Sequence, residues 1–217
     1  MASNRTKKAG PTLVLFVRHG QTPTTGKILP GRAPGLHLSD EGRAEADTAA
    51  ARIAPLKGRV AAVYASPLER TRQTAAPIAK TLGLRVRTDR RLLDSDTGDW
   101  TNEELKTLRK RPEWRVVQHN PSSFRFPGGE SFLEMLARLN DALSDFVDRH
   151  RGELVVVVSH AEPIRVAVAT AIGAPFDLFQ RVIISPCSIS VVAYGDDGPA
   201  VLCANSSHRD LAGLVGR

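Results

Sequence analysis

A chain of 217 residues is long enough for one large α/β domain that buries roughly 70–75% of its unfolded surface without covalent staples. A formal charge of +7 would suit a nucleic-acid binder, but the basic residues are scattered and only 5% of residues are aromatic, so no base-stacking platform forms and nucleic acid is excluded as a partner. The 2 cysteines, Cys187 and Cys203, lack metal-ligand spacing and fit a reduced, cytoplasmic protein; no apolar run approaches the ~20 residues of a membrane helix.

In chain order, Met1–Pro11 carries Arg5, Lys7 and Lys8 without an apolar segment, and reads as a disordered basic tail. Residues 12–217 read as a single domain. Leu13–Val17 is the first strand, followed by a loop from Gln21 to Leu38 punctuated by proline and glycine. Ser39 caps a helix to about Ile53, with Asp40 and Glu41 in the first turn favouring its dipole. Val60–Ala65 is a strand. Ser66-Pro67 then predicts a helix start with Ser66 as N-cap, running to Leu82 and stopped by Gly83.

Leu84–Val86 reads as a short strand, and Asp94–Gly129 has weak periodicity apart from a short helix around Thr101–Lys110. That stretch is long for a plain connection, so residues 94–129 read as a segment that covers a substrate. Ser131–Arg149 predicts a long amphipathic helix, Leu154–Val158 a buried strand and Pro163–Ile172 a helix. Ser188–Tyr194 and Ala200–Ala204 close the chain as a hairpin, either a free edge or the interface of a homodimer. Strands alternating with helices imply a mostly parallel sheet covered on both faces.

Two buried runs end in histidine: Leu13–Val17 in Arg18-His19-Gly20, and Leu154–Val158 in Ser159-His160. The carboxyl edge of such a sheet is where ligands sit. Arg70, in the first turn after a strand, can point back to the same edge. Arg18, Arg70 and His160, with the Ala161 amide opening a helix, supply the converging donors that a phosphate group needs. No loop cysteine and no P-loop lysine offers a nucleophile, which leaves His19. Gln21 and Arg32 reach from the first loop, whereas Arg72 reads as a surface residue, and Trp100 and Trp114 as packing residues.

Arg18-His19-Gly20-Gln21-Thr22 resembles the signature of the histidine phosphatase superfamily, in its phosphoglycerate mutase-like branch. Ser66–Ala75 is similar to that family's second-arginine motif and Val158–Arg165 to its second-histidine motif, in family order. The resemblance implies a three-layer α/β/α sandwich with a mostly parallel central sheet and a phosphohistidine intermediate on His19, with no metal or cofactor. It assigns Arg18, Arg70 and His160 to grip the phosphoryl group. Gly20, Gln21, Thr25, Arg32 and Ala161 complete the phosphate- and substrate-binding set. Asp94 stands where the family usually has a glutamate before a Gly-x-Trp segment, and would donate the proton, with Asp96 as the substitute. Asn102 stands where a glycine is usual.

These motifs imply hydrolysis of a small phosphate monoester. A mutase-like phosphoryl return is the alternative, and a non-catalytic phosphate-binding module the third reading. Asn102–Gly129 lacks the longer basic, aromatic insertion of the mutases, which favours hydrolysis because water exclusion decides between the two.

Overall fold

The computed structural model describes residues 10–207 and Leu211; most of the expected basic tail lies outside them. Strand β1 (Thr12–Arg18) runs parallel to β6 (Leu154–Ser159) and antiparallel to β7 (Ile189–Gly195). β3 (Val60–Ala65) and β4 (Val86–Thr88) extend the parallel half, and β8 (Gly198–Ser206) closes the other edge. The order is β4-β3-β6-β1-β7-β8.

Period-two alternation distributes each strand between two core layers. Leu13, Leu15 and Val17 join residues of α1 (Asp40–Ile53) and α2 (Glu69–Leu82) on one face. Val14 and Phe16 join those of α5 (Phe132–Arg149) and α6 (Ala161–Ala171) on the other. With both faces covered, β6 is buried at every position, which is why it reads as an unbroken valine run. This is the three-layer sandwich expected from the sequence.

The helix ends follow local chemistry. Ser39 accepts from the Gly42 amide at 3.1 Å, and Ser131 forms a reciprocal capping box with Glu134. Four expectations need correction. Ser66 does not cap α2: the helix begins at Glu69, and the Ser66 hydroxyl bonds the His160 ring instead. The strand expected at 84–86 starts at Val86, because the Leu84 amide still bonds Ala79 O in the turn that closes α2. The helix expected at 101–110 shrinks to α3 (Leu105–Leu108). Its first part is taken by β5 (Glu103–Glu104), paired with β2 (Ile28–Leu29), after Asn102 turns the chain at φ 66°. Finally, α4 (Pro112–His119) was not expected; Arg111, Glu113 and Arg115 obscure its short apolar face of Trp114 and Val117. A smaller shift starts α6 at Ala161, two residues before Pro163, since a first-turn proline lacks an amide the helix could not use.

Candidate active site

β1 and β6 pair with Arg18 opposite Ser159, so the residues that follow, His19 and His160, leave the sheet side by side. Their ring centroids are 5.2 Å apart, and the His19 amide donates to Ser159 O at 3.0 Å. Gly20 then presses the chain onto the first turn of α1: a methyl group there would overlap the Gly42 carbonyl oxygen. β3 ends level with β6, and the turn after it delivers Arg70, the second residue of α2, to the same edge. Arg70 is fully buried.

His19 Nδ1 lies 2.8 Å from Gly20 O. A carbonyl can only accept, so Nδ1 holds the proton and Nε2 keeps its lone pair. Burial first, then the Arg70 and Arg18 charges, hold the His19 pKa well below the usual value. Arg18 Nη1 donates to Ile184 O at 2.7 Å, which anchors its guanidinium. Arg70 Nη2 donates to Gly31 O at 2.9 Å and to Asp94 Oδ2 at 3.3 Å. His160 bonds Ser66 Oγ through Nε2 at 2.8 Å, and its Nδ1 stands 3.5 Å from Asp94 Oδ2. Burial and the Arg70 charge also hold the His160 pKa down.

Buried nitrogens without a hydrogen-bond partner concentrate at this edge: the donors Arg18 Nε, Arg70 Nε and Nη1 and Arg165 Nε, together with His160 Nδ1. Native interiors leave few such groups, and each unmet donor carries a desolvation cost of about 1–3 kcal/mol. Such an edge suits an anion with several oxygens. Asp94 has the opposite character. Burial, with the Glu162 carboxylate second, pushes its pKa up to about 6, so near neutrality it is a carboxyl group able to give and take a proton.

Arg18, His19, Asp94, Thr25 and Ala161 line a cavity of ≈ 410 Å³, with Arg70 and His160 in the layer behind Asp94. The other site residues expected from the sequence go elsewhere. Gln21 is held by Glu45, through its amide and its side chain, both at 2.8 Å. Gly20 donates to Thr74 Oγ1 at 3.1 Å. Arg32 turns onto acidic groups, Glu130 at 2.8 Å and Asp96 at 3.3 Å, so neither it nor Asp96 lines the cavity. Trp114, expected to be a packing residue, lines the cavity wall, whereas Trp100 is buried behind it.

Sequence reading missed the group that holds Asp94 in place. Arg138, on α5, donates to the Arg91 and Leu93 carbonyls at 2.7 Å and to Asp94 O at 3.0 Å, while Glu130 grips it from the other side. Arg32 Nε adds a bond to Asp94 O at 2.9 Å. No local pattern announces Arg138, since the carbonyls it holds lie more than forty residues away in sequence. Ser66 and Thr74 were legible only as parts of a motif.

The sequence pattern of the histidine phosphatase superfamily (branch 1) matches residues 14–207. The chain belongs to that superfamily. It is 30% identical over 184 residues to phosphoserine phosphatase 1 of Hydrogenobacter thermophilus, covering 82% of this chain and 85% of the relative. It is 33% identical to the probable phosphoglycerate mutase GpmB of Cronobacter sakazakii, covering 83% and 84% respectively. The chain also spans about half the length, 52%, of the first mycobacterial curated relatives it matches, at 33% identity. Among solved structures, a mycobacterial glucosyl-3-phosphoglycerate phosphatase superposes with a TM-score of 0.80 at 23% identity, covering 89% of this chain and 98% of that one, a likeness of fold. Among the described residues, no helix is long and apolar enough to cross a membrane.

Proposed function

We propose that this protein hydrolyses small phosphate monoesters through a phosphohistidine on His19. The observation that carries the reading is the set of buried, unpartnered nitrogens of Arg18, Arg70 and His160 around an imidazole whose Nδ1 is fixed and whose Nε2 is open. His19 Nε2 attacks phosphorus in line. The bond to the leaving oxygen breaks while Asp94 passes that oxygen its proton, and the alcohol departs. The two guanidinium groups and His160 hold the equatorial oxygens as charge spreads over them. Asp94, now a carboxylate, takes a proton from water. The water oxygen displaces His19 from phosphorus, orthophosphate leaves, and both side chains return to their starting states.

The 94–129 segment covers the leaving group: Leu105, Trp114, Val117 and Phe126 all face the cavity. Thr25 and the Ala161 amide at the start of α6 assist with phosphate. The phosphatase relatives support a small phosphorylated metabolite as substrate, and two cysteines not joined in a disulfide, Cys187 and Cys203, suit a reducing cytoplasm. The GpmB relative keeps phosphoryl return to the same substrate as the second reading.

Incubation with p-nitrophenyl phosphate, and separately with 3-phosphoglycerate plus its bisphosphate, separates these readings. Steady phosphate release, an acid-labile and base-stable label on His19, and a loss of roughly 10⁴-fold or more in His19→Ala are the expected results. Isomerisation without release establishes the mutase. Phosphate binding with no turnover of any ester establishes a binding module.

A further inference from the structure

We propose that the natural monoester carries a bulky, largely apolar alcohol with no charged group close to the ester oxygen. This deepens the phosphatase reading and rests on it. The donors just described serve the phosphoryl end of the cavity. Beyond them the wall is built from Ile28 and Leu29 on β2, Leu105 on α3, Trp114 and Val117 on α4, and Phe126.

That wall is fixed in place. Phe126 packs edge-on against Trp100 at 5.6 Å, and Trp114 stacks on the same indole at 6.4 Å. The β2–β5 pairing ties the two sides together, and the Leu105 amide donates to Lys27 O at 2.9 Å. Trp114 and Leu105 are half-buried: each is packed from behind and open on the cavity side. A preformed apolar face of this kind gains by covering hydrocarbon.

The charges near it point the same way. Arg165 Nη1 donates to Glu162 at 3.2 Å and to Gln180 at 3.0 Å, and its unpartnered Nε is buried among the donors already counted at the phosphoryl end. Among the described residues no lysine lines the cavity, and the cation that lines it besides Arg18 and Arg165, Arg109, is exposed. An amino-acid or hydroxy-acid phosphate brings a carboxylate within a few bonds of the ester oxygen. Against leucine, valine and tryptophan that charge would give up water for a wall whose other polar groups are neutral threonine and glutamine side chains, which is costly.

The test compares primary alkyl phosphates of similar intrinsic reactivity, so that leaving-group chemistry does not decide the outcome. Ethyl, butyl and hexyl phosphate should rise in kcat/KM by roughly fourfold per added methylene until the wall is covered. Hexyl phosphate should exceed phosphoserine and 3-phosphoglycerate at least tenfold. Trp114→Ala, and independently Leu105→Gln, should cost hexyl phosphate about tenfold more in kcat/KM than ethyl phosphate. The proposal is overturned if phosphoserine or 3-phosphoglycerate is the better substrate. It is also overturned if chain length has no effect, or if both variants slow all esters equally while His19 still takes up label. Failure of every ester to release phosphate, with His19 unlabelled, would instead remove the phosphatase reading itself.

Discussion

The two ends of the sheet each bury a histidine, in opposite conditions. At the amino-terminal end of the parallel strands, His150 is satisfied on both ring nitrogens, by Tyr64 Oη at 3.0 Å and Glu153 at 2.9 Å. Tyr64 stacks on Phe146 at 4.0 Å, and Thr12 Oγ1 donates to the His150 carbonyl at 2.8 Å. At the carboxyl end, both site arginines keep buried donors, and His160 a buried ring nitrogen, without hydrogen-bond partners. A closed network holds a fold together and has nothing left for a ligand. An open one costs stability and keeps its donors for substrate.

The strongest way to break this contrast is Arg70→Met. It removes the most buried cation of the open end and leaves Asp94 without its ion pair, so kcat/KM for any monoester should fall about 10²–10³-fold. A smaller loss would mean that the unpartnered donors are not catalytic. Asp94→Asn comes next, and it discriminates between substrates. The kcat/KM of an alkyl ester, which reports the step that expels the alcohol, should drop about 10²-fold or more and that of p-nitrophenyl phosphate less than tenfold, because nitrophenolate leaves unaided. Equal losses would make Asp94 a positioning group.

The same carboxyl sets the pH dependence. The acid must be protonated, and its pKa is about 6, so for alkyl esters activity is full below that pH and falls about tenfold per unit above it. The depressed pKa of His19 keeps its nucleophilic nitrogen unprotonated near neutrality, so no loss appears at the usual histidine midpoint. A profile that instead rose through pH 6.5 would contradict both assignments.

Arg138→Met sharpens the comparison further. Freed from the guanidinium that ties three carbonyls to Glu130, the Asp94 backbone should loosen. Alkyl esters should then lose about tenfold in kcat/KM and p-nitrophenyl phosphate little, a split that general destabilisation would not produce. Tyr64→Phe, at the closed end, carries the smallest catalytic effect. It should cost about 1–3 kcal/mol in urea unfolding, by leaving His150 Nε2 unpaired, with kcat unchanged.

Much of this was legible in the residues. Aliphatic runs ending in Arg18-His19 and Ser159-His160 announced both strands and the edge where they stop, because a strand buried on both faces must be apolar throughout and polar only where it emerges. Ser39 announced its helix through a cap that needs only neighbours within one turn, and Ser131–Arg149 announced theirs through amphipathic periodicity. The segment between Asp94 and Gly129 was less readable. β2 and β5 are two residues each and pair across more than seventy positions, and α4 carries a charged face that hides its period.

Local sequence therefore fixed what depends on neighbours: the strands, the caps, the positions of His19, Arg70 and His160, and the carboxyl at 94. Only the tertiary structure decided which polar groups would meet. It gave Ser66 to His160 rather than to a helix end and turned Arg32 onto Glu130. It also brought Arg138 from a distant helix to hold Asp94. Those choices depend on which surfaces pack together, and the chain's order alone carries no measure of distance between side chains that far apart.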